Sequence, residues 1–213
     1  MRPERQRTAT AEQLRQRALR LEWATNGWNA MEVVVTVSLG LRAGSLALIA
    51  FGLDSVVEIF ASTVVIRNLH DDRRDPGDRR VHRSLRLIAV AFWLLAAFLA
   101  VMSVRGLILG NRPADSPLGI AYLALTAVAM FGLARLKHVT ADAMGSETVG
   151  AEAGMTFLDG CLSSGILIAL VLNAWLGWWW TDAAAALLVA GFAIRAGVDH
   201  WRESAPHDPQ PST

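Results

Sequence analysis

Asp54 and Glu58 stand four residues apart within residues 45–66, and Glu152 and Asp159 stand seven apart within residues 149–173. Both stretches are otherwise mostly apolar, and neither contains a lysine or arginine. A spacing of four puts two side chains on one face of a helix about a turn apart, and a spacing of seven returns to that face two turns on. A carboxylate at bilayer depth costs roughly 2.5–3.5 kcal/mol on insertion scales. Such acids need a counter-charge, and a like-charged pair repels unless a proton or cation sits between its members. A divalent cation is the simplest partner. Three or four carboxylates offer oxygen ligands that suit hard or borderline ions such as Mn²⁺, Fe²⁺ or Zn²⁺.

Other residues carry weaker signals. Glu32, near Asn29 in the first apolar stretch, reads as a supporting partner, a proton carrier or a buried hydrogen-bonded acid. Asp182 follows Trp178, Trp179 and Trp180 and is expected to cap the sixth helix. Met155 and Cys161 are soft potential ligands whose plainer role is packing. Gly160, Ser163, Ser164 and Gly165 would permit close helix contact. His70, Asp71 and Asp72 open the run HDDRRDPGDRR, where weak metal binding competes with a simpler reading, a solvated loop with a Pro-Gly turn. His70, His82, His138, His200 and His207 fall in or near the cytoplasmic segments and are read as surface residues.

Helices that span a membrane are what must position these groups. The chain has 213 residues, 53% hydrophobic and 18% charged, whereas soluble domains run near a quarter charged. That composition argues against a soluble enzyme, and no zinc-protease motif or Ser/His pair at a common depth suggests a membrane hydrolase. A net charge of +1 argues against an electrostatic nucleic-acid binder, and the single Cys161 against a disulfide framework or thiolate cluster. About 20 apolar residues cross a bilayer, and six such stretches appear, near 23–41, 45–66, 87–104, 118–134, 149–173 and 178–198. The last two are separated by a turn expected at 173–177. The spacing predicts an all-α membrane protein of six transmembrane helices. Arginines concentrate before the first span (Arg2, Arg5, Arg7, Arg15, Arg17, Arg20) and between the second and third (Arg67, Arg73, Arg74, Arg79, Arg80, Arg83, Arg86). Both termini are therefore expected in the cytoplasm, with the Trp178–Trp180 run in the outer aromatic belt. The expected organisation is an Arg-rich segment over 1–20 without a cleavable signal, a transport domain over 21–202 and a disordered tail over 203–213. A bacterial inner membrane is the expected location.

An internal repeat accompanies the carboxylates. GSLALIAFGLDSVVEIFAS (44–62) and GSETVGAEAGMTFLDGCLS (145–163) align without gaps, Gly44 on Gly145, Ser45 on Ser146 and Glu58 on Asp159. Internal repeats with sites near the midplane are a common transporter plan.

At these residues the sequence resembles the cation diffusion facilitator family of divalent-metal exporters. The second span resembles the family pattern of two metal-binding acids four apart, with Asp54 and Glu58 in those places. AEAGMTFLD resembles the pattern Ala-Asp-Ala-x-His-x-x-x-Asp, with Glu152 in the first acidic place, Met155 in the histidine place and Asp159 in the last. GWWWTDAAAALLVAGFAIRAG resembles the family's sixth span. The resemblance implies a secondary transporter that exports a divalent metal, zinc first and manganese, iron or cobalt after it, by proton antiport. It implies a metal site of Asp54, Glu58 and Asp159 with Glu152 and Met155 behind them, and a homodimer. The metal is then substrate, and no prosthetic group is expected. Met155 departs from the pattern and leaves the usual four-ligand site incomplete; Thr156, Glu152 and Glu32 are the open substitutes. The family's C-terminal cytoplasmic domain is expected to be missing. The alternatives are a proton-coupled exporter of organic cations and a non-transporting membrane scaffold.

Overall fold

A computed structural model describes residues 2–70 and 79–204. They form six helices, α1 (Arg2–Ala43), α2 (Leu46–His70), α3 (Arg79–Leu109), α4 (Pro117–Met144), α5 (Glu147–Leu176) and α6 (Trp180–Glu203). No strand occurs among the described residues. Four helical stretches are long and apolar enough to cross a bilayer: Leu85–Leu109, Pro117–Met144, Glu152–Leu176 and Trp180–Arg202. α1 and α2 complete the bundle, and each expected span coincides with one helix. α1 differs most from expectation, because its 42 residues continue the first span through the Arg-rich segment. At 1.5 Å per residue it is about 63 Å long, twice the hydrocarbon core. Asp71 and Asp72, with most of the mixed-charge loop, and the tail beyond Ser204 lie outside the described residues.

The helices pack mainly as the pairs α1–α2, α3–α6 and α4–α5. The core gathers Leu48 and Phe51 with Ile88, Phe92, Leu123 and Val189. Val101, Ile108, Leu118, Val128 and Ile168 instead point outward and are exposed. Exposed apolar surface on this scale marks a face meant for lipid. Trp178 and Trp180 stack at 5.8 Å at one end of the bundle. Trp93 meets Trp201 at 5.4 Å at the other, with the Arg86 guanidinium 5.5 Å from the Trp201 ring.

The repeat seen in the sequence is a repeated turn. Gly44 and Gly145 hold φ of +66° and +61°, a left-handed conformation that favours glycine at a helix end. The following serine donates its backbone N–H five residues back, Ser45 to Gly40 O at 3.0 Å and Ser146 to Ala141 O at 3.1 Å. Each serine hydroxyl then accepts the N–H three residues on, from Leu48 at 3.2 Å and Val149 at 3.4 Å. The α1–α2 turn sits beside the α3–α4 connection, where the Ala114 N–H donates to Ala43 O at 2.8 Å. The α4–α5 turn lies at the opposite end, so the two hairpins run in opposite directions. The α5–α6 turn closes where expected, with Gly177 at φ +66° and its N–H on Asn173 O at 2.9 Å.

Asp182 corrects an expectation. It lies in the first turn of α6 but does not cap that helix, whose N-cap, Trp179, has no side-chain hydrogen bond. Its carboxylate caps α2 instead. The Ser45 hydroxyl donates to Oδ1, and the N–H groups of Leu46 and Ala47 donate to Oδ2 at 2.8 and 3.4 Å. These are N–H groups a helix start cannot satisfy itself, and a carboxylate complements the positive end of the helix dipole.

Candidate functional site

α1 and α2 approach closely enough to set polar groups face to face inside the bundle. Glu32, Thr36 and Gly40 recur every four residues on one stripe of α1. A Cβ added at Gly52 would lie 2.5 Å from Thr36 Oγ1 and 2.6 Å from Val37 Cγ2, so only glycine admits this contact. One turn along, Ser55 donates its hydroxyl to Glu32 Oε1. Asn29, a turn before Glu32, donates its amide to Glu58 Oε2 at 3.1 Å.

Asp54 on α2 and Asp159 on α5 are both 5% exposed, and Glu32 is wholly buried. Asp159 acts electrostatically on Glu32, Asp54 and Glu58, which places four acids from three helices around one region. The charged groups acting on those three are all carboxylates. α2 and α5 touch only sparingly, so their acids face each other with little side-chain packing between the two helices. Among the described residues no three His, Cys, Asp or Glu side chains are drawn tightly enough to hold a metal ion. The wall on α4 is polar as well. Trp28 stacks on Tyr122 at 6.2 Å and donates its indole N–H to Thr126 Oγ1 at 3.3 Å.

Asp54, Glu58 and Asp159 thus lie within one another's electrostatic reach, without being gathered into a finished ligand set. Met155 and Glu152 are not part of the same arrangement. Met155 is 45% exposed on the outer side of α5. Glu152 lies about two turns along α5 from Asp159, interacting with Glu22 and Lys137 while still acting electrostatically on Glu58. Thr156 is buried with its hydroxyl on Glu152 O at 2.9 Å, and Cys161 is exposed.

Sequence reasoning passed over one residue. Lys137, the only lysine among the 20 basic residues, is 1% exposed and bonds Glu22 Oε2 at 3.0 Å. It falls just beyond the apolar run of the fourth span. Its buried neighbours on α4, Ala134, Thr140 and Ala141, lie three or four residues away. That small-residue face is the signal that marks it as inward-pointing.

Long apolar helices that keep ionisable residues inside their bundle mark an integral membrane protein. Residues 85–207, more than half of the chain, match the model of the cation efflux transmembrane domain, and the chain belongs to that family. The matched stretch runs through α3 to α6 and includes Asp159. The cation-efflux pump FieF of Shewanella oneidensis is 27% identical over 177 residues, which cover 78% of this chain and 59% of that relative. The chain therefore spans less than two thirds of that relative's length.

Proposed function

We propose that this protein exports a divalent metal cation from the cytoplasm in exchange for protons, using Asp54, Glu58 and Asp159 as its transport site. The observation that carries this reading is that buried acids of α2 and α5 act on one another with no cationic side chain among the described residues to neutralise them. Metal binding needs deprotonated ligands, so metal and proton compete for the same oxygens. Exposing such a site alternately to each side exchanges one for the other without covalent chemistry. The opposed α1–α2 and α4–α5 hairpins suit a rocking motion around a fixed central site. In this reading both termini face the cytoplasm of a bacterium, the bilayer is its inner membrane, and the working unit is a homodimer, as the family likeness implies.

Metal uptake into proteoliposomes tests the proposal. Vesicles bearing the parent chain should accumulate divalent metal when an opposing proton gradient is imposed, and Asp54→Ala should abolish that uptake. Undiminished transport by Asp54→Ala would remove the proposed site.

A further inference from the structure

The place of Met155 is the weak point of that site, and the sequence offers three substitutes for it. Thr156 spends its hydroxyl hydrogen on the Glu152 carbonyl, and Glu152 stands in the field of Lys137. Glu32 is different. It is wholly buried on α1, where the Ser55 hydroxyl donates to Oε1 and Thr126 of α4 lends the carboxylate a second, weaker hydrogen bond. Among the described residues Oε2 receives no hydrogen bond of ordinary length, and neither does Asn29 Oδ1 one turn away, although both atoms are buried. A buried acceptor without a donor costs about 1–3 kcal/mol, more when charged. Two such oxygens one turn apart on α1, one on a residue bonded to Glu58 and the other in the field of Asp54 and Asp159, point to something positive that belongs there.

Resting on the proposed transport function, we infer that α1 supplies the missing ligands, the Glu32 carboxylate and the Asn29 carbonyl oxygen, so that the transported ion is held by oxygen alone. Such a donor set suits a hard divalent cation that accepts many oxygens, of which Mn²⁺ is the transition-metal example. Zinc, first in the sequence-based expectation, is commonly held by nitrogen and sulfur donors in fourfold sites. Asn29 serves twice, its amide orienting Glu58 while its carbonyl faces the ion. Met155, pointing outward, takes no part.

Titration calorimetry of the full chain in detergent with Mn²⁺ and with Zn²⁺ tests this, and thermal melting of each variant reports folding. The parent should bind Mn²⁺ more tightly than Zn²⁺. Glu32→Gln should weaken Mn²⁺ binding at least about tenfold, Asn29→Ala should weaken it less, and Met155→Ala should leave it within about twofold. Asp54→Asn is the control for the underlying site and should abolish binding of both metals. If Asp54→Asn abolishes binding while Glu32→Gln and Asn29→Ala both leave Mn²⁺ affinity within twofold, the role of α1 is overturned and the transport site survives. If Met155→Ala weakens binding more than Glu32→Gln, the assignment is equally overturned. If Asp54→Asn binds as the parent does, the transport site itself falls. Should Glu32→Gln fail to fold, Asn29→Ala decides alone.

Discussion

The carboxylate cluster and the Lys137 cluster are built from the same helices and behave oppositely. In the second, Glu22 on α1 and Glu152 on α5 flank Lys137 on α4, an ammonium that bonds Glu22 at 3.0 Å and lies within reach of Glu152. In the first, Glu32 on α1 and Asp159 on α5 act on Asp54 and Glu58 on α2, and among the described residues no ammonium acts on them. Ten residues of α1 separate Glu22 from Glu32, about 15 Å along the axis. Within that distance the molecule neutralises buried acids with its own cation at one level and leaves them without one at the next. A tethered cation makes an ion pair that holds helices together. Its absence leaves a charge that must come from solution and can leave again.

If that contrast is right, damage to the two clusters should separate function from stability. The largest effect belongs to the centre. Asp54→Asn and Asp159→Asn should each lower metal affinity by more than about 100-fold, beyond what loss of a supporting partner causes. Thermal stability should hold or rise, because each variant removes repulsion rather than a bond; a collapse of the melting temperature would make the central acids structural. Lys137→Met should do the reverse. Removing one partner of a buried pair costs about 3–5 kcal/mol, less here because the Glu22 side chain keeps 22% of its exposure. Chemical unfolding should show a loss of about 2–3 kcal/mol, with metal affinity within twofold of the parent. Acidity sharpens the same distinction. Carboxylates that bind metal must shed protons, so affinity should fall as pH is lowered, and calorimetry in buffers of different ionisation heat should show protons released on binding. The smallest effect is at the far end of α2. Asp182→Ala should cost about 1–2 kcal/mol through loss of the cap, read as a lower melting temperature without a change in metal affinity.

Much of this arrangement was legible in the chain. Long apolar runs divided by glycine, proline and asparagine marked the six helices, and the turn at Gly177 fell where the run had to break. The acids of the second and fifth spans were conspicuous because charge is costly in lipid. What escaped depended on partners distant in sequence. Asp182 looked like a local cap because it stands at a helix start, yet its partners at Ser45, Leu46 and Ala47 lie more than 130 residues away. Glu152 shares a face with Asp159, but seven residues carry it about 10 Å along the axis and into another cluster. Lys137 hid at the edge of an apolar run, where a cation usually reaches for water. The sequence leaves Glu32 between three roles because nothing in the first span shows that Gly52 would let Ser55 come so near.

The sparse contact between α2 and α5 has one more consequence. Where most neighbouring helices are held by interlocking side chains, these two face each other across acids that repel. A cation lodged among them would act as a rivet, lending the bundle cohesion only during its passage. The cargo would thus be a temporary part of the protein's own framework, and added metal should raise the melting temperature with the logarithm of its concentration over Kd, by mass action.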